Sequence, residues 1–139
     1  MNELRNYLRT SFSKSVLLDT GVVVDFLMGD RKAAGFFDEF VSTAHITPVL
    51  SPQSISELFM AARNRGEETR LDRWLVKTFS VADMTYEIAK EAGLLKRNSG
   101  INAANSIIAA TAKHLGIPLV TTNPESYRRT EMRIFRPYA

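Results

Sequence analysis

Short apolar runs alternate with longer amphipathic stretches along this chain. The apolar runs that predict strands are residues 16–18, 46–50, 79–82 and 117–120, and residues 133–135 are a candidate edge strand. Stretches in which apolar residues recur with helical spacing separate these runs. Strands that alternate with helices in this way predict a parallel α/β sandwich in a single domain.

Cap residues predict where several of the helices begin and end. The predicted N-caps each have a short polar side chain before an apolar helical stripe, and they are Asp30, Thr85 and Asn102. Gly116 is the predicted C-cap of the most apolar helix, residues 102–115. The helix after strand 46–50 is predicted over residues 54–63, and Gly66 is expected to separate it from the next helix.

The first fourteen residues precede the first predicted strand. Their apolar residues recur at helical intervals, and they are Leu4, Tyr7, Leu8 and Phe12. We therefore predict a helical N-terminal extension at residues 1–14, packed on its own domain or on a partner, and a main domain at residues 15–139. The extension has no continuous apolar segment of the signal-peptide kind, and no stretch approaches the roughly twenty apolar residues of a membrane span. A cytoplasmic protein without membrane association is expected.

Composition narrows the class of protein. With 139 residues and 45% hydrophobic content, the chain fits one domain without disulfide or metal staples. The absence of cysteine excludes a disulfide framework and cysteine-based zinc ribbons. The two histidines, His45 and His114, cannot form a zinc enzyme without other ligands. The net charge of +3 favours approach to a polyanion, but proteins that never bind nucleic acid often have a charge this small.

Four polar motifs fall where a predicted strand ends or a predicted helix begins. They are Leu-Leu-Asp-Thr at 17–20, Ser-Ile-Ser-Glu-Leu at 54–58, Asn-Ala-Ala-Asn-Ser-Ile-Ile-Ala-Ala-Thr-Ala at 102–112, and Val-Thr-Thr-Asn at 120–123. Parallel α/β sheets gather such points at one crevice. Carboxylates and amides gathered there suit a hard divalent cation such as Mg²⁺ or Mn²⁺. Metal-assisted phosphodiester cleavage is the chemistry that this predicts.

The four motifs resemble the PIN domain, in particular the VapC-type ribonuclease toxins, from about residue 16 to the C-terminus. The most specific parts are Ile-Ile-Ala-Ala-Thr-Ala at 107–112 and Gly-Ile-Pro-Leu-Val-Thr-Thr-Asn at 116–123. The resemblance implies a three-layer α/β/α sandwich around a mainly parallel sheet. It also implies a Mg²⁺- or Mn²⁺-dependent endoribonuclease of a toxin–antitoxin system, which hydrolyses RNA phosphodiester bonds. The implied partners are RNA, a VapB-type antitoxin that inserts a basic side chain into the crevice, and a second copy in a homodimer.

The resemblance also assigns site residues, and the chain departs from the family's pattern at one of them. The implied metal ligands are Asp19, Glu57 and the residue at 105, where the family has Asp and this chain has Asn105. An Asn can offer one carbonyl oxygen but no charge. A second departure is Gly21, where the family usually has Asn. A third follows the last motif: the family often has an acidic residue shortly after Thr-x-Asn, and this chain reads Asn-Pro-Glu-Ser-Tyr at 123–127. The alternative function is therefore a catalytically degenerate PIN-fold module that binds RNA or protein.

Further residues are expected to support this chemistry. Asn123 is a predicted catalytic amide, and the predicted neighbours of the ligands are Thr20, Thr121, Asn102 and Ser126. The basic residues near the C-terminus, which either contact phosphates or form a solvated face, are Arg128, Arg129, Arg133 and Arg136. Both carboxylates also have structural alternatives, since Asp19 could cap a turn and Ser54-x-x-Glu57 matches a capping box.

Overall fold

The structure, a computed structural model, describes residues 2–139 and contains one five-stranded sheet. The strands are β1 (Ser15–Leu18), β2 (Thr47–Leu50), β3 (Ser80–Val81), β4 (Leu119–Val120) and β5 (Ile134–Phe135). Their order in the sheet is β3-β2-β1-β4-β5, and all four neighbouring pairs are parallel. The predicted strands are therefore confirmed, including the edge strand, and β1 lies at the centre.

Helices connect these strands. They are α1 (Asn2–Thr10), α2 (Thr20–Leu27), α3 (Arg31–Phe36), α4 (Pro52–Ala61), α5 (Arg65–Thr78), α6 (Tyr86–Ser99) and α7 (Ala103–Leu115). A π-helical turn, Phe37–Val41, extends α3, and a 3₁₀ turn, Pro124–Tyr127, follows β4. None of the helices described is long and apolar enough to cross a membrane.

Side chains that alternate along the strands divide the core between the two faces of the sheet. Val16 and Leu18 belong to the apolar cluster that also contains residues of α1 to α5. Leu17 belongs to a second cluster, with residues of α6 and α7 such as Ile108. Successive side chains of a strand point to opposite faces, so helices cover both sides of the sheet. The predicted three-layer α/β/α sandwich is confirmed.

The predicted caps are confirmed at every position. The side chains of Asp30, Thr85 and Asn102 each accept a hydrogen bond from a backbone N–H in the first turn of the following helix. Gly116 ends α7 in the left-handed conformation, with φ of 66°, which a residue without a Cβ adopts at little cost.

Two predicted helix boundaries are wrong. The helix predicted over residues 54–63 starts at Pro52, because Ser51 is its N-cap and the fixed φ of proline suits a first helical turn. Gly66 does not separate two helices. It lies in the first turn of α5, which Asn64 caps through a hydrogen bond to the backbone N–H of Glu67.

The apolar stripe of the N-terminal extension packs on the chain's own domain. Leu4 and Leu8 are buried in the core, and the ring of Tyr7 lies 5.4 Å from that of Phe135. Phe12 follows the end of α1 and is fully exposed. The stripe is therefore buried at Leu4 and Leu8 and exposed at Phe12. Met1, which falls in the predicted extension, lies outside the described residues.

Candidate metal centre

Asp19 lies directly after the central strand, where β1 gives way to α2. Its Oδ1 accepts a hydrogen bond of 2.8 Å from the backbone N–H of Thr20, and the residue is the N-cap of α2. Its Oδ2 accepts a hydrogen bond of 2.7 Å from the hydroxyl group of Thr121, which follows β4. The expected cap is thus present, but it uses a single oxygen. These two hydrogen bonds leave the carboxylate room for about two further contacts, since a carboxylate can accept about four hydrogen bonds.

Thr20 connects Asp19 to the second carboxylate. Its hydroxyl oxygen lies 2.6 Å from Oε1 of Glu57 and 2.7 Å from Oγ of the buried Ser54. A hydroxyl group has one proton, and the charged carboxylate is the stronger acceptor, so Thr20 donates to Glu57 and accepts from Ser54. Glu57 lies beyond the first turn of α4, and Ser51 caps this helix, so the capping-box alternative for Glu57 is wrong.

The two carboxylates form an acidic pair without a basic neighbour. Burial raises the pKa of Asp19, although hydrogen bonds from Thr121, Tyr127 and the backbone of Thr20 offset part of this effect, and the charge of Glu57 raises it further. No basic side chain of residues 2–139 forms an ion pair with either carboxylate. Partly buried carboxylates without a neutralising side chain are suitable ligands for a hard cation. The donor set therefore fits Mg²⁺ or Mn²⁺.

Asn105 lies in the first turn of α7, across from the acidic pair. The side-chain oxygen of Asn102 caps this helix by accepting a hydrogen bond of 2.8 Å from the backbone N–H of Asn105. The side chain of Asn105 faces Tyr127, whose hydroxyl group donates to Oδ1 over 3.3 Å. Within the described residues, no group of three or more His, Cys, Asp or Glu side chains could hold a metal ion together. Position 105, which the family resemblance implies as the third ligand, carries an amide in this chain and no carboxylate.

Tyr127 is the site residue that the sequence analysis missed. Only 1% of its surface is exposed, its hydroxyl group donates to Oδ1 of Asn105 over 3.3 Å, and the same hydroxyl group lowers the pKa of the nearby Asp19. Burial raises its pKa, and the charge of Asp19 raises it further, so the phenol stays protonated at neutral pH. Tyr127 follows shortly after the last polar motif, and this position is the one signal of its role in the sequence. No local pattern marks an aromatic hydroxyl group as part of a site.

Asn123 and Ser126 lie beside this crevice but face each other. The side-chain amide of Asn123 donates to the hydroxyl oxygen of Ser126 over 2.7 Å, and its backbone N–H donates to Thr121 over 3.0 Å. Asn123 therefore reaches Asp19 only indirectly, through Thr121. Its predicted catalytic role stays a prediction.

The basic residues near the C-terminus have different surroundings. Arg128 forms an ion pair with Glu125 over 2.6 Å, the guanidinium of Arg133 lies 5.2 Å from the ring centre of Tyr7, and Arg136 donates to the backbone oxygen of Thr122. Arg128 and Arg129 line a hollow of about 520 Å³ that also includes Asn102 and Asn105. Positive charge thus lies on the α7 side of the crevice.

The fold and the site define the class as a parallel α/β sandwich with an acidic pair beside the carboxyl end of its central strand. Comparison with known sequences identifies the family, because a sequence profile of the PIN domain matches residues 16–131. This chain belongs to the PIN domain family, and the resemblance noted in its sequence is confirmed.

Several solved structures have the same fold. A chain of a toxin–antitoxin complex from Klebsiella pneumoniae is 23% identical, with a TM-score of 0.74 over 88% of this chain and 98% of that one. A chain of VapBC-1 from nontypeable Haemophilus influenzae is 22% identical, with a TM-score of 0.71 over the same shares of 88% and 98%. A chain of FitAcB from Neisseria gonorrhoeae is 21% identical, with a TM-score of 0.66 over 88% of this chain and 97% of that one. A search of curated protein sequences found no match.

Proposed function

We propose that this protein is a Mg²⁺- or Mn²⁺-dependent endoribonuclease and the toxin of a toxin–antitoxin pair. The observation that carries the proposal is the acidic pair of Asp19 and Glu57, linked through Thr20 and without an ion-pair partner among residues 2–139. Membership of the PIN domain family and the likeness to chains of toxin–antitoxin complexes support it.

In this proposal, Asp19 and Glu57 are the charged metal ligands and Asn105 adds a neutral oxygen. Bound by these residues, the ion would supply Lewis-acid stabilisation of the charge that develops on the scissile phosphate and would make water more acidic. The residues around the carboxylates hold their oxygens in fixed directions: Thr121 and the backbone of Thr20 orient Asp19, and the hydroxyl group of Thr20 orients Glu57. Hydrogen bonds of this kind raise both the affinity and the selectivity of metal sites.

RNA would approach from the side of α7. The hollow beside Asn102 and Asn105 contains Arg128 and Arg129, and exposed arginines contact phosphate oxygens without regard to base sequence. With Asn at position 105, the site carries one negative charge fewer than a site with three carboxylates. We therefore expect weak metal affinity and correspondingly weak cleavage.

Calorimetric titration with Mn²⁺, paired with an RNA cleavage assay, tests the proposal. Glu57→Gln should weaken Mn²⁺ binding by tenfold or more, because the variant keeps the shape of the side chain and loses its charge. Glu68→Gln is the matched control, since Glu68 is exposed on α5 outside the crevice. Cleavage that persists in chelator, or metal binding that Glu57→Gln leaves unchanged, would contradict the proposed site.

A groove next to the acidic pair is where we propose that an antitoxin binds. It has a volume of about 680 Å³, and its apolar lining comes from α2, α4 and α5, namely Val24, Leu27, Met28, Leu58, Leu71 and Trp74. On α2, Val24 and Leu27 follow Thr20 by four and seven residues, which sets them on the same helical face. The groove therefore begins beside Thr20 and Glu57. An amphipathic helix with apolar anchors fits such a groove and can extend a basic side chain into the acidic pair.

Copurification with the protein encoded by the adjacent reading frame tests this partner. Leu27→Gln should release the partner, because it puts a polar amide into the groove, whereas Val76→Gln on an exposed part of α5 should not. Equal retention by both variants would contradict the groove as the binding site. A homodimer remains a proposal from family resemblance, and light scattering at micromolar concentration tests it; a strict monomer would contradict it.

The second candidate function is a PIN-fold module that binds RNA or protein without cleaving RNA. The observation that favours it is Asn105, which leaves no cluster of three acidic side chains in the described part of the chain. RNA binding that is equally strong in chelator and in Mn²⁺, with no cleavage in either, would support this module over the nuclease.

A further inference from the structure

The hydroxyl group of Tyr127 lies between the two sides of the candidate metal centre. The ring is fixed, because it is buried in the apolar cluster of α6 and α7 and because the backbone oxygen of Tyr127 accepts a hydrogen bond of 2.6 Å from Thr130. A buried hydroxyl group needs hydrogen-bond partners. The hydroxyl group of Tyr127 lies 3.3 Å from Oδ1 of Asn105, and the nearby carboxylate of Asp19, whose pKa it lowers, is a second acceptor for it.

One proton is shared between these two acceptors. A phenol donates a single hydrogen bond and can also accept one. The contact with Oδ1 of Asn105, at 3.3 Å, is longer than the roughly 2.5–3.0 Å of most hydroxyl hydrogen bonds. The carboxylate of Asp19 is the stronger acceptor because it is charged. If Tyr127 donates to Asp19, Asn105 can rotate its amide and donate through Nδ2 to the phenolic oxygen. An aspartate at position 105 has no donor to offer in this way.

We infer that Tyr127 is a positioning residue, which connects Asn105 to Asp19 through its hydroxyl group and thereby sets the orientation of the Asn105 amide. The inference rests on the proposed metal site, because the orientation matters for the amide oxygen that Asn105 offers to an ion. It assigns the neutral side of the centre a geometric role in place of the missing charge.

Tyr127→Phe removes the hydroxyl group and keeps the ring that packs in the core. We expect this variant to bind Mn²⁺ about tenfold more weakly, which is the lower end of the loss seen when a hydrogen bond to a metal ligand is removed. Tyr138→Phe is the matched control, because the hydroxyl group of Tyr138 donates to Asp25 over 2.7 Å, away from the candidate ligands. Its Mn²⁺ affinity should stay within about twofold of that of the unaltered chain.

A double-mutant cycle separates positioning from a general structural effect. If the hydroxyl group acts through Asn105, Tyr127→Phe should weaken Mn²⁺ binding less in an Asn105→Ala background, because the side chain that it orients is absent. Equal losses in both backgrounds would overturn the inference.

The side-chain amide resonances of Asn105 give a readout that needs no metal. They are assigned in the ¹⁵N–¹H spectrum by their disappearance in Asn105→Ala, and they should shift in metal-free Tyr127→Phe but not in Tyr138→Phe. An unshifted pair of resonances would overturn the inference, as would Mn²⁺ binding within twofold of normal in Tyr127→Phe. If the unaltered chain binds no Mn²⁺, the proposed function fails and the inference fails with it. If the unaltered chain and Tyr127→Phe bind Mn²⁺ equally well, the inference alone fails.

Discussion

The two sides of the crevice satisfy their polar groups in different ways. The acid half comprises Asp19, Thr20, Ser54 and Glu57. Thr20 joins its two carboxylates, because its backbone N–H donates to Asp19 and its hydroxyl group donates to Glu57. The hydroxyl group of Ser54 lies 2.7 Å from that of Thr20. The amide half, which comprises Asn102, Asn105 and Tyr127, contains neutral groups that are largely satisfied by one another or by the helix backbone. Of these two halves, only the acid half contains charged side chains, and no ion pair of the described residues neutralises them.

A site with three carboxylates would use the same residues to attract the cation and to orient its ligands. In this crevice the two halves divide these tasks. In the acid half, attraction for a cation comes from charge that the protein itself does not neutralise. In the amide half, orientation comes from hydrogen bonds around a side chain without charge. The variants below change charge on one side at a time, so they test whether affinity follows the acid half alone.

The largest effect is expected from removing the charge of Asp19. At an effective dielectric of about 20, a unit charge 4 Å from another interacts by roughly 4 kcal/mol, and a divalent ion interacts more strongly. After desolvation, a loss of about 3 kcal/mol is reasonable, equivalent to about a hundredfold in affinity. Asp19→Asn should therefore lose Mn²⁺ binding in a calorimetric titration and lose Mn²⁺-stimulated RNA cleavage. The control, Asp72→Asn, changes an exposed carboxylate of α5. Unchanged binding by Asp19→Asn would exclude the acid half as the metal site.

The reverse change in the amide half should have a smaller effect of opposite sign. Asn105→Asp adds one charge near the ion, and a net gain of about 1–3 kcal/mol corresponds to roughly tenfold to hundredfold tighter binding. The helix N-terminus also favours a negative charge in the first turn of α7. Titration and cleavage should both improve, and expression could become toxic. Asn98→Asp, on the exposed surface of α6, controls for added charge alone. Equal affinity and activity would mean that position 105 lies outside the site.

In the metal-free protein, the free energy of unfolding should depend on pH in a way that shows the cost of burying the charge of Asp19. Because burial raises the pKa of Asp19 in the folded state, the folded protein binds more protons at this residue than the unfolded chain does. The contribution of Asp19 to the free energy of unfolding should therefore fall as pH rises from its ordinary value of 3.8 through the raised value. Asp19→Asn should be the more stable protein at pH 7, and its advantage should shrink towards acid pH.

Urea unfolding of both proteins between about pH 3 and pH 7, after metal removal, measures this difference. Contributions from the other carboxylates largely cancel, because both proteins share them. An advantage of Asp19→Asn that grows towards acid pH would contradict the direction of the pKa shift.

Local signals in the sequence predicted most of the fold. The strands follow from apolar runs, and the caps at Asp30, Thr85 and Asn102 follow from side chains that bond the adjacent helix backbone. The apolar stripe of α1 was harder to interpret, because helical spacing identifies an apolar face but not the surface that covers it. Here Leu4 and Leu8 pack on the chain's own core.

The site could be predicted less completely than the fold. The order of the motifs and the family resemblance predicted that Asp19, Glu57 and Asn105 belong to one site. The hydroxyl link from Thr20 to Glu57 spans 37 residues, and the contact of Tyr127 with Asn105 spans 22. Neither has a local signal, because each depends on how two packed elements set their side chains. Motifs therefore predict which residues converge, and packing determines which of their atoms are already satisfied.

The smallest expected effect concerns Gly21, which lies next to Thr20 in the first turn of α2. A Cβ added there would lie 3.8 Å from Oγ1 of Thr122, an ordinary van der Waals contact. Gly21→Ala should therefore stabilise the protein by about 0.5–1 kcal/mol, because alanine loses less backbone entropy in a helix. Mn²⁺ affinity should stay within about twofold, since neither carboxylate is altered. Gly35→Ala in α3 is the control, as it meets nothing within 4 Å and should give a similar gain in urea unfolding. If Gly21→Ala alone weakened Mn²⁺ binding, the acid half would depend on open space at position 21 as well as on charge.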